Sequence, residues 1–152
     1  MKVKKMIKNL MIIQVCILVS NISIRAQEKL YSIEENLISK KIKICIPNNY
    51  NKDTFNYDEG VYISYTYRDL SNITIFEGSM VRLPLLNENE GFVIEKTDTI
   101  QSKISYTGNL NNKYWREDAY KTIRVYYKNV NEEKKYLFDL ILDSLCFCSM
   151  KD

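Results

Sequence analysis

The sequence predicts an α+β domain: an antiparallel β-sheet of about six to seven strands with a C-terminal helix packed on one face, after a cleaved signal peptide. Three observations lead to this reading. Apolar and polar side chains alternate through the middle of the chain, most clearly where Val61, Ile63, Tyr65 and Tyr67 point one way and Tyr62, Ser64, Thr66 and Arg68 the other. That period of two, with one wet face, belongs to an antiparallel strand. Near the C-terminus the pattern changes to a broad apolar arc from Leu137 to Leu145, which suits a helix lying on a sheet. Residues 1–26 follow a third pattern altogether.

That leader has Lys2, Lys4, Lys5 and Lys8 at its start, an apolar run from Leu10 to Val19, and Ala26-Gln27 as a cleavage point. These are the three regions of a secretory signal peptide. A spanning helix needs about 20 apolar residues, and Ser20, Asn21 and Arg25 interrupt the run too early. Ile24 departs from the small residue usual before a cleavage site. Cys16 follows Gln14 and Val15 and lacks the small residues of a lipid-attachment signal. The expected location is periplasmic or secreted, with no integral membrane segment after cleavage.

Cleavage would leave residues 27–152 as a single domain of 126 residues, long enough to hold a core without staples. Of the 22 basic residues, five lie in residues 1–26, whereas none of the 19 acidic ones does, so the remainder carries 17 against 19, a formal charge of −2. Binding to nucleic acid or anionic lipid draws on clustered positive charge, and this balance argues against both. Lys40, Lys41 and Lys43 read as a solvated strand edge. With 4 Gly, 2 Pro and no internal repeat, nothing divides the chain.

In order, Glu28 to Ser39 predicts a short amphipathic helix from the spacing of Leu30, Ile33 and Leu37. Ile42 to Pro47 predicts a strand with Ile42, Ile44 and Ile46 on one face, followed by a polar loop from Asn48 to Asp53. Val61 to Tyr67 and Ile73 to Phe76 predict a hairpin around the turn Asp69 to Asn72. Further strands are predicted at Met80 to Leu86, Phe92 to Lys96, Lys103 to Thr107 and Thr122 to Tyr127. Asn131 is placed to cap the last helix, with Glu132 and Glu133 at its positive end and Asp139 and Asp143 opposite its apolar arc. Cys146 to Cys148 would add a short final strand.

A strand ending in Ile46-Pro47 with Tyr50 beyond it, a run of antiparallel strands, and a late helix ending Leu142-Asp143-Ser144 resembles the PsbP-like α/β sandwich. The resemblance is one of element order over most of the chain, and the helix expected before the first strand departs from it. It implies an accessory or binding role and no active site.

The sequence holds no histidine. Serine–histidine and cysteine–histidine nucleophiles and histidine-ligated zinc are thereby excluded. Carboxylate chemistry of the glycosidase kind remains open, but Asp58-Glu59 and Glu117-Asp118 are sequence neighbours that would face opposite ways on a strand. No cofactor motif is present. Cys45, Cys146 and Cys148 read either as buried free thiols or as a disulfide of Cys45 with Cys146 or Cys148; the spacing is not that of a zinc site.

Tyr114-Trp115-Arg116-Glu117-Asp118 is expected as a loop between strands. Its residues are of the kind that dominate contact hot spots, though Trp115 would equally anchor a core with Arg116 paired to an acid. Twelve tyrosines fall mainly on strands, where aromatics are natural. Tyr62 and Tyr126 share the polar face of their strands and would offer a binding platform there. Only Arg68 and Arg124 lie among them, too few for nucleic acid. Asp98-Thr99-Ile100 and Asp143-Ser144-Leu145 are similar to O-glycosylation acceptors of some bacterial envelopes, Thr99 being the accessible one. The function expected is an exported, non-enzymatic binding or protein-interaction module, with an envelope protein as partner. The alternatives are an envelope inhibitor or immunity-type protein, or a carboxylate-dependent enzyme acting on cell-surface glycans.

Overall fold

The computed structural model describes residues 28–58, 60–79, 86 and 91–148. Among them are ten strands in two antiparallel sheets and one helix. The larger sheet has seven strands: β3 (Asn51–Tyr57), β4 (Gly60–Thr66), β5 (Asn72–Gly78), β6 (Lys96–Ile100), β7 (Lys103–Leu110), β8 (Lys113–Tyr120) and β9 (Ile123–Val130). Their spatial order is β3-β4-β5-β9-β8-β7-β6. A smaller sheet places β2 (Lys41–Pro47) between β1 (Leu30–Asn36) and β10 (Cys146–Cys148). The α+β class with an antiparallel sheet and a C-terminal helix therefore holds, with more strands than the sequence suggested.

The alternation read from Val61 to Tyr67 sets the main core. Val61, Ile63 and Tyr65 of β4 meet Ile73 and Ile75 of β5 and Ile123, Val125 and Tyr127 of β9 on one buried face. Ile42, Ile44 and Ile46 of β2, each no more than 1% exposed, close that face together with Phe138, Ile141 and Leu142 of helix α1 (Glu132–Asp143). The small sheet and the helix thus form one layer over the large sheet. On the opposite face Leu86, Phe92, Trp115 and Tyr126 form a second, smaller cluster.

Tight turns join the strands. Asn111 and Asn112, with φ of 54° and 60°, make the two-residue connection from β7 to β8, where positive φ at both central residues matches the strand twist. Asn131 has the extended backbone of an N-cap but gives the helix no side-chain bond; its Oδ1 accepts from Lys113 Nζ instead. Glu132 and Glu133 occupy the first turn as expected.

Four expectations are corrected. The segment expected as a helix from Glu28 to Ser39 is strand β1, because seven residues pair in register with β2 from Leu30↔Pro47 to Asn36↔Lys41 and that pairing outweighs a local helical spacing. Asn51 to Asp53, expected in a loop, belong to β3, a polar edge strand with every residue exposed. Phe92 to Glu95 are not strand; Phe92 turns onto the Trp115 ring at 5.7 Å and 86°, and β6 begins at Lys96. Tyr114 to Asp118 are not a loop but the interior of β8, paired on both sides by β7 and β9. The strand expected from Met80 to Leu86 lies, apart from Leu86, outside the described residues. No described helix is long and apolar enough to cross a membrane.

Candidate functional site

The burial of β8 decides what its residues do. Trp115 is 1% exposed and Arg116 8%. Ordinary strand alternation turns Trp115 to the outer cluster and Tyr114 and Arg116 to the inner face. The slip of register beside them puts the extra residue of a β-bulge on β9, where Asn129 has φ 61°. Gly108 lies opposite Trp115, and a Cβ there would stand 2.3 Å from the Val93 carbonyl and 2.7 Å from Trp115 Nε1. The close seating of the indole therefore requires glycine. Tyr114 packs partly buried against the main core. This run is internal structure and presents no contact loop.

Arg116 anchors an ionic cluster under the helix. Its Nε and Nη2 donate to Asp118 Oδ1 and Oδ2, each at 2.8 Å, and Nη2 also reaches Asp143 Oδ1 at 2.6 Å. Lys103 Nζ donates to Asp118 at 3.2 Å. The Tyr127 hydroxyl donates to Asp139 Oδ1 at 2.9 Å and Lys135 to Oδ2 at 2.7 Å. Asp139 and Asp143, expected opposite the apolar arc of the helix, thus both reach Arg116, Asp139 from a partly buried position and Asp143 from an exposed one. Burial alone would lower the Arg116 pKa, but the bonds to Asp118 and Asp143 raise it. For Asp143, burial favours the neutral acid, and Arg116 and Lys103 outweigh it, leaving the pKa depressed. The Asp118 carboxylate is fully buried and committed to Arg116 and Lys103.

Tyr62 and Tyr126, singled out on their strands, are brought together across β5. Their hydroxyls are 3.4 Å apart, and Tyr62 lies 3.5 Å from Thr74 Oγ1. Thr74 donates to Asn72 at 2.6 Å, and Asn72 donates to Ser64 and Thr66. Tyr126 is 6% exposed. Burial and its neighbour Tyr62 push its pKa up. Of this pair only Tyr62, half-buried beside the Phe55 ring at 6.1 Å, reaches the surface.

Cys45, Cys146 and Cys148 are free thiols; Cys146 stands opposite Lys43 and Cys148 opposite Lys41, so neither faces Cys45 directly. Among the described residues no group of three or more acids, cysteines or histidines is placed to hold a metal. Thr99 is exposed on β6. The Ser144 hydroxyl, by contrast, donates to the Ile141 carbonyl at 2.7 Å and accepts from the Cys45 N–H at 2.9 Å.

The surface feature that sequence reasoning missed is the tip of the β4–β5 hairpin. Leu70 sits there at φ 65° with 68% of its surface exposed. The left-handed region disfavours a branched apolar side chain, yet the loop is built to hold it. The Tyr67 N–H donates to the Ser71 carbonyl at 2.9 Å and the Leu70 N–H to the Tyr67 carbonyl at 3.0 Å. Asp69 Oδ1 accepts from the Ser71 N–H and hydroxyl at 3.1 and 2.6 Å. Asn129 Nδ2 donates to the Leu70 carbonyl at 3.3 Å. Lys134 of the helix pairs with Asp69 at 2.9 Å. Burial would raise the Asp69 pKa, but Ser71 and Lys134 bring it down to about 2. The one signal available in the sequence was an apolar residue inside a turn of Arg68, Asp69 and Ser71.

Beside the tip lies a cleft of about 470 Å³ between the start of β1, the β2–β3 loop and the helix. Tyr31, Tyr67, Lys29, Arg68 and Lys134 line it. Lys134 is used by Asp69 and Glu28, Lys29 lies over the Tyr31 ring at 5.3 Å, and among the described residues Arg68 forms no ion pair. The cleft has room for a peptide side chain or small ligand. Glu28 and Asp69 also line it and both pair with Lys134, so any positive character of the rim comes from Lys29 and Arg68. Comparison of the chain with models of protein families, with curated proteins and with solved structures found no match.

Proposed function

We propose that the protein is an exported binding module, non-enzymatic, that contacts a protein partner in the cell envelope through the β4–β5 tip and the adjoining cleft. Leu70 carries this reading. A leucine in the left-handed region costs about 1–2 kcal/mol relative to ordinary backbone, and here the cost maintains an apolar knob in solvent instead of a buried contact. Local strain held by surrounding bonds, on an exposed apolar residue, is the arrangement of a preformed anchor. Arg68 and Lys29 at the rim favour an acidic segment of the partner. The same surface would serve an inhibitor of an envelope enzyme. The accessory role implied by the resemblance to PsbP-like sandwiches points the same way.

The test compares the tagged wild-type protein with Leu70→Asn in a crosslinked pull-down from the native host. Asparagine tolerates the left-handed region, so the variant should be as stable as the wild type or more so, while a stoichiometric partner is lost. Equal partner recovery by both proteins would overturn the reading.

A further inference from the structure

Strand β3 forms one edge of the large sheet and pairs, among the described residues, with β4 alone. All seven of its residues are exposed, including Phe55 at 52% and Tyr57 at 61%. Such an edge is a template for another strand. We infer that it pairs antiparallel with β3 of a second copy of this chain, about a two-fold axis that passes between Phe55 and its copy.

The register follows from charge and face. A two-fold axis normal to the sheet keeps each side chain on its own face, so one residue must oppose itself. Centring on Asp53 would set two carboxylates against each other, which is destabilising. Centring on Thr54 would place Asp53 against Phe55. Centring on Asn56 would carry Lys52 past the end of the opposing strand. With Phe55 at the centre, Phe55 meets its own copy and Thr54 meets Asn56. Asp53 meets Tyr57, whose hydroxyl, unlike the Phe55 ring, can donate to a carboxylate, and Lys52 meets Asp58, which follows the strand in its turn. Lys52 Nζ already donates to Glu35 at 2.5 Å, and an ammonium has donors to spare for a second acceptor. Because Phe55 lies against Tyr62 of the neighbouring strand, the pairing would align Tyr62, Phe55 and their two copies in one row of rings on the outer face. Closed two-fold pairing also protects an edge that would otherwise recruit chains without limit. The interface is separate from the hairpin tip and stands without the function proposed there.

Sedimentation velocity of protein purified from its host, from about 1 to about 200 µM, should show a reversible monomer–dimer equilibrium. Asp58→Lys should weaken it roughly tenfold, since two symmetric exposed ion pairs are lost. Under mild oxidation Phe55→Cys should crosslink to position 55 of its own copy, identified by peptide mapping, whereas Thr54→Cys and Asn56→Cys should not. All these sites are exposed, so circular dichroism should report an unchanged fold. A monomer over the whole range would overturn the proposal. A crosslink at position 54 or 56 instead, or dimerisation indifferent to Asp58→Lys, would overturn the register.

Discussion

Arg116 holds both carboxylate oxygens of Asp118, a residue only two positions along its own strand, through two bonds of 2.8 Å. Both side chains point from β8 toward the helix, where Asp143 completes the guanidinium's contacts. A strand with an arginine, a glutamate and an aspartate in succession is thereby buried without an uncompensated charge on its inner face.

Removing the arginine breaks that compensation. Arg116→Ala should destabilise the fold by about 3 kcal/mol, because breaking a buried pair strands the remaining charge while Lys103, at 3.2 Å, offsets only part of it. Urea unfolding at neutral pH measures this. A loss below about 1 kcal/mol, the range of exposed pairs, would show the cluster to be solvent-screened.

Acid should loosen the helix at both ends: at Asp69, which lies beside Leu70 and pairs with Lys134, and at Asp143, which pairs with Arg116. The Asp69 pKa falls from 3.8 to about 2 on folding, and that of Asp143 is also depressed. A depressed carboxylate contributes stability above its unfolded pKa and loses it as pH falls through the folded value. Stability should therefore decline from about pH 4 to about pH 2, and Asp69→Asn should flatten part of that slope. An identical acid profile for the variant would remove Asp69 from the account.

Gly108→Ala should cost about 1–3 kcal/mol, the range for overpacking, by driving a methyl into the Val93 carbonyl and the Trp115 indole. Trp115 is the only tryptophan, so its fluorescence reports the damage directly. The wild-type emission should be that of a buried indole and should shift to the red in the variant. Unchanged emission and stability would mean that the indole is seated elsewhere.

Thiol titration should find three reactive cysteines in denatured, unreduced protein from which residues 1–26 have been removed. In the native protein Cys146 should react first, since it is exposed whereas Cys45 and Cys148 are partly covered. A single thiol after denaturation would mean that a disulfide had formed.

What could be read in advance followed from clean periodicity. Ile42 to Pro47, the Val61 to Phe76 hairpin and Leu137 to Leu142 all carried a pattern of two or of 3.6. β3 and β8 broke that rule for opposite reasons. β3 is an edge with neither face buried, so its sequence has no alternation to show. β8 is buried on both faces, but its charges are neutralised within the fold, so its composition imitates a loop. That Tyr62 and Tyr126 share the polar face of their strands was legible from parity alone, whereas their meeting depends on β5 lying between β4 and β9. The Leu70 tip was not, since backbone handedness at a single residue leaves no periodic trace.

The small sheet has a consequence for how the molecule comes to exist. Its middle strand β2 lies near the beginning of the described chain and is flanked on one side by β10, near its end. Contacts between residues so remote in sequence form slowly, because a long loop must close first. Ribosomes deliver a chain from its N-terminus, so β2 must wait, with one edge unpaired, until Cys146 to Cys148 emerge. A product that ended prematurely, even by little more than the last strand, would keep that edge bare and would be prone to stick to its neighbours. Synthesis as far as β10 is thus a condition for the small sheet to close.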